Sequence, residues 1–84
     1  MSKSLELMNA FYENNQEALK AEDYELAQLW SQCESMVNNL YHGKEPSVWI
    51  PQLKSIIEGW IVEEPNFELV KAYKEALEFI AIVE

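Results

Sequence analysis

Apolar residues recur every three or four positions along most of this chain, the period of an α-helix and not the two-residue period of a strand. Strong punctuation is sparse: glycine stands only at Gly43 and Gly59, and proline only at Pro46, Pro51 and Pro65. The runs between these marks predict four helices, over about 4–20, 23–42, 48–62 and 66–83.

The first helix carries Leu5, Met8, Tyr12 and Leu19 along one stripe, with Phe11 and Ala18 beside it and Asn15 interrupting it. In the second, Leu26, Trp30, Cys33, Val37 and Leu40 step by four, three, four and three, a seam of the coiled-coil kind that Ala27, Met36 and Tyr41 widen. Asp23 is placed to cap it, since a carboxylate there accepts from exposed backbone N–H groups, and Gly43 supplies the residue that ends it. The third should start near Ser47, or near Ile50 if Pro51 takes the first helical position, because proline belongs in a first turn and not in a helix interior. Its expected buried row is Trp49, Leu53, Ile56 and Trp60, with Ile50, Ile57 and Ile61 adjacent, and Pro65 stops it. Asn66 caps the fourth, which buries Leu69, Val70, Tyr73, Ala76, Leu77, Ile80 and Val83. On its wet face Lys71–Glu75 and Lys74–Glu78 form i,i+4 pairs.

Short connections favour antiparallel neighbours, so the expected fold is a compact all-α, four-helix domain over residues 1–84, either an up-down bundle or two stacked helical hairpins. A chain of 84 residues buries only about 60–65% of the surface it exposes unfolded. With 49% apolar residues it can still fill a core, which argues against disorder despite the charge.

That charge is the most unusual feature of the composition. Fifteen carboxylates stand against six lysines and no arginine, a formal net charge of −9. Residues 1–44 carry −4 and residues 45–84 carry −5, so no acidic tail accounts for it. The lysines are scattered, and without arginine the chain lacks the usual means of gripping phosphate, which disfavours direct binding of nucleic acid or of anionic membranes. No stretch approaches the length of a membrane span and no apolar leader opens the sequence, so a cytoplasmic location is expected.

The inventory for catalysis is short. His42, the single histidine, falls at the end of the second helix and reads as a capping or surface residue. Cys33 lies on the apolar seam, where a thiol behaves as a small hydrophobe. These two cannot assemble a zinc site, and the acidic pairs match no calcium loop, so neither a metal nor a cofactor nor an enzymatic role is expected. Glu22-Asp23-Tyr24-Glu25-Leu26-Ala27 resembles the inter-helix turn of tetratricopeptide repeats over six residues. Asn14 and Asn15 stand where a repeat carries a large apolar residue and a glycine, so the resemblance implies a helical hairpin alone.

The functional expectation is a small non-enzymatic module that docks on a basic surface of another protein, as inhibitors, immunity proteins and nucleic-acid mimics do. The carboxylates expected to carry it are Glu13, Glu17, Glu22, Asp23, Glu25, Glu63 and Glu64. Tyr24 and Trp49 are the expected aromatic anchors, Trp49 because it sits in a proline-bounded turn. A second expectation is a structural or regulatory module that self-associates as a homodimer. It rests on Gln28, Ser31, Gln32, Ser35, Asn39 and His42, an uncharged polar face of the second helix.

Overall fold

The computed structural model describes residues 2–84, in which four helices follow one another: α1 (Lys3–Lys20), α2 (Tyr24–Tyr41), α3 (Pro46–Glu63) and α4 (Phe67–Val83). Three of the four start on a side-chain cap. Ser2 accepts from the Leu5 N–H at 3.2 Å, Asp23 from Leu26 at 3.2 Å and Asn66 from Glu68 at 2.9 Å. α3 starts differently, with Pro46 in the first turn and no side-chain cap at Glu45. Pro46, not Pro51, therefore occupies the position where a missing N–H costs nothing. Pro51 lies inside α3 instead, where it removes one helical hydrogen bond, and its ring faces solvent.

Only residues 21–23 separate α1 from α2. The Glu22 N–H donates to the Leu19 carbonyl at 3.0 Å and the Asp23 N–H to the Ala18 carbonyl at 2.9 Å, the paired closure of a Schellman motif. Asp23 thus ends one helix and caps the next. The motif requires a left-handed residue, and that residue is Glu22, at φ 58°, where glycine would carry no steric cost. Between α2 and α3, His42 and Gly43 both take positive φ.

α1 packs most closely on α2, and α4 closes the ring by touching α1 as well as α3 and α2, while α1 and α3 face each other across the diagonal and scarcely meet. The starts of α1 and α3 lie beside the end of α4, so helix direction alternates up and down through the four. The core is built on α2: Trp30, Cys33 and Val37 are buried, joined by Leu7 and Phe11 from α1, Trp49, Ile50, Leu53 and Ile57 from α3, and Tyr73, Ala76 and Ile80 from α4. Phe11, Trp30 and Phe79 pack on one another with ring centroids 5.8 to 6.2 Å apart, tying α1, α2 and α4 together.

Two expectations need correction. α1 buries Ser4, Leu7, Phe11 and Ala18, whereas Leu5, Tyr12 and Leu19 of the expected stripe are exposed. The inward face is the one with small residues, and Ala18 and Ala27, both buried near the tight turn, let the two helices pack closely. At that approach Asn15 reaches across to donate to the Ala27 carbonyl at 2.6 Å. On α4, the Lys71–Glu75 and Lys74–Glu78 pairs do not close. Among the described residues the ion pairs are Lys20–Glu17 at 3.6 Å and Lys54–Glu84 at 2.8 Å, as expected where solvated partners gain little by meeting.

The two turns predict opposite effects. Glu22→Gly should raise the unfolding free energy by about 0.5–1 kcal/mol by relieving the left-handed strain. Gly43→Ala, at φ +73° with open space around it, should lower stability by about 1 kcal/mol through backbone strain alone. Urea unfolding of both variants beside the parent chain checks the pair.

Candidate protein-docking surface

In an up-down bundle the first and third turns lie at the same end. Lys3 donates to the Glu84 carbonyl at 3.3 Å at one end, and at the other Glu17 and Asp23 share a cavity of about 330 Å³ with Glu68 and Glu75. Glu25 and Glu64 likewise line one groove. Residues 17–25 and 63–68 together hold seven carboxylates, Glu17, Glu22, Asp23, Glu25, Glu63, Glu64 and Glu68, against the single lysine Lys20. Glu75 and Lys71, which line the same cavity, cancel, so that end carries −6 of the −9, to which each half of the sequence contributes equally. The bundle is 35 Å long, several times the roughly 8 Å screening length at physiological salt, so an approaching partner meets this end and not the average charge.

The seven carboxylates are not equivalent. Asp23, Glu25 and Glu68 sit at the starts of α2 and α4, where the helix dipole and free N–H groups stabilise negative charge. Glu17 lies in the last turn of α1, Glu63 is the last residue of α3 and Glu64 its C-cap, where the dipole opposes them. Glu22 is the strained residue of the turn. Glu64 has one local use, accepting from the Asn66 N–H at 3.2 Å. Glu13, one turn before Glu17, is exposed beside Tyr12 and Gln16.

Of the two expected anchors, Tyr24 is 65% exposed at this end. Trp49 is only 1% exposed and is no anchor: with α3 starting at Pro46, it falls on the inward face of a helix, edge-on to Tyr41, with its indole N–H unpartnered by any hydrogen bond. Two residues that the pattern did not single out join Tyr24. Phe67, first residue of α4, is 75% exposed, and Val62, next to Glu63, is 84% exposed. Both stand off the buried phase of their helices, which is the signal that would have found them.

The uncharged face of α2 is divided by the fold. Gln28 and Gln32 line the groove that also holds Glu25, Glu64 and Tyr73, so carboxylates interrupt that side. Ser31, Ser35, Asn39 and His42 are exposed. The asparagines of α1 are largely turned to internal use: Asn14 donates to the Ala10 carbonyl at 2.9 Å, and Gln16 to the Asn15 side chain at 3.0 Å.

Among the described residues no three of the His, Cys, Asp and Glu side chains are grouped so as to hold a metal ion. No helix of the described residues is long and apolar enough to cross a membrane. Cys33 is fully buried, and burial pushes its thiol up to about 12 from an ordinary 9.0. Comparisons with protein-family models, with curated proteins and with solved structures find no match for this chain.

Two measurable consequences follow from these placements. Glu63→Lys removes a charge opposed by the dipole and should raise stability by about 0.3–1 kcal/mol, seen as an upward shift in the thermal midpoint. The Cys33 thiol binds its proton more tightly folded than unfolded, so its contribution is intact below about pH 9 and is lost as pH rises toward about 12. Tyr73, also raised chiefly by burial, acts in the same direction. Urea midpoints should fall steeply above pH 9, with a contribution from the thiol approaching about 1.4 kcal/mol per pH unit, and Cys33→Ala should flatten that limb.

Proposed function

We propose that this chain is a non-enzymatic binding module whose acidic end docks on a basic surface of another protein. The supporting observation is that seven carboxylates are gathered at one end, two of them, Glu22 and Glu63, in positions where backbone strain or a helix dipole opposes them. Charge kept for solubility alone has no reason to collect there, and a field concentrated over one end accelerates encounter with a cationic groove. Tyr24, Phe67 and Val62 supply the apolar contact that carboxylates alone do not. Inhibitors, immunity proteins and nucleic-acid mimics work in this way, by occupying a surface that otherwise meets an anionic ligand.

Two variants of equal net charge test the reading. One neutralises the acidic end with Glu17, Glu22, Glu63 and Glu64 changed to Gln; the other changes Glu6, Glu45, Glu58 and Glu78. Proteins captured from a native lysate by the parent chain at low salt should be retained by the second variant and lost by the first, and roughly 0.5 M salt should release them. Equal retention by both variants, or capture indifferent to salt, contradicts the proposal.

A further inference from the structure

The groove between α2 and α4 differs from the rest of the acidic end. Glu25 and Glu64 line it together with the side-chain amides of Gln28 and Gln32, and no lysine does, whereas Lys71 stands in the larger cavity. Tyr73 lines it too, at only 6% exposure. Its hydroxyl has no hydrogen-bond partner among the described residues, which is uncommon for so buried a polar side chain. Burial first, then Cys33 and the Glu64 carboxylate, raise its pKa, so the phenol lies within reach of Glu64 and keeps its proton. One Glu64 oxygen accepts from the Asn66 N–H; the other, with the side chains of Glu25, Gln28 and Gln32, is unpartnered. The groove thus gathers hydrogen-bond acceptors from two helices around one unused hydroxyl.

We propose that this groove receives the guanidinium of an arginine on the basic partner, an inference that rests on the docking reading above and names the group it recognises. A guanidinium carries a planar fork of N–H donors and no acceptor, so it needs acceptors on several sides. The two carboxylates balance its charge, while the Gln28 and Gln32 carbonyl oxygens and the Tyr73 hydroxyl oxygen accept its remaining N–H groups. Leu29 and Leu69, which also line the groove, cover its methylene stem. Size agrees. The groove encloses about 180 Å³, room for roughly six non-hydrogen atoms at the ~30 Å³ share of a water molecule, the number from Cγ outward in arginine. A lysine brings fewer donors on a compact, strongly hydrated head and leaves part of the acceptor set unused, and a neutral group leaves both carboxylates unbalanced.

Titration of the full chain at low salt with N-acetyl-arginine N-methylamide, followed by the NMR shifts of the Gln28 and Gln32 side-chain amides, tests this. Dissociation constants on the order of millimolar are expected for so small a probe, with the lysine analogue roughly fivefold weaker. Tyr73→Phe, which keeps the ring in the core and removes only the hydroxyl, should weaken arginine binding about fivefold, and Glu25→Gln or Glu64→Gln about as much or more. Glu63→Gln makes the same change in net charge next to Glu64 but off the groove, and should alter binding by less than about twofold. Equal affinity for the two probes, unchanged binding in Tyr73→Phe, or equal loss in Glu63→Gln and Glu64→Gln would each overturn the inference. No captured protein enters the titration, so the two proposals fail separately. Probe binding with this pattern supports the groove even where lysate capture fails, and capture without probe binding overturns the groove while the docking reading stands.

Discussion

The packing of Phe11, Trp30 and Phe79 is the interaction on which the rest of this structure depends. Each ring comes from a different helix, and each touches the other two. Without that packing α1 keeps its hairpin with α2 but loses its aromatic contact with α4. In the closed bundle α4 lies against both α1 and α2, and both acidic turns share one end. A core of this kind, rich in aromatic area, supplies the free energy that a small domain needs to hold like charges together.

The charge then has a different meaning from the one its sum suggests. Read along the sequence, −4 and −5 in the two halves describe an evenly acidic protein. Folded, the same residues make a molecule with one strongly negative end, while Lys3, Lys44 and Lys54 offset the carboxylates toward the other. Part of that end is explained by helix starts that welcome acids. Glu17 and Glu64 have local partners in Lys20 and the Asn66 N–H, while Glu22 and Glu63 work against local stability.

Helices and caps were legible because each rests on a local rule. Asp23, Asn66, Gly43 and Pro65 act where spacing placed them, since a cap or a break depends only on its neighbours in sequence. The facing of α1 was not legible in the same way. Two apolar lines lie one residue apart on it, and the choice between them was made by Ser4 and Ala18, whose smallness matters only once α2 is alongside. The place of Trp49 was not legible for a related reason: which of two prolines begins α3 decides whether the indole lies in a turn or in the core. The acidic end was invisible for a third reason, because residues 17–25 and 63–68 become neighbours only through topology. Phe67 and Val62 lie out of phase with the buried faces of their helices, so their exposure at this end also emerges only with the fold.

The core holds seven carboxylates, with Lys20 and Lys71 among them, at one end against their mutual repulsion. The unfolding free energy as a function of sodium chloride concentration tests it most directly. Between about 0.02 and 0.5 M, screening should raise the stability of the native chain by an amount on the order of 1 kcal/mol, and the Glu63→Gln, Glu64→Gln double variant should show a clearly smaller rise. A native chain whose stability is flat or falls over that range, or a double variant with the full salt dependence, would contradict the account.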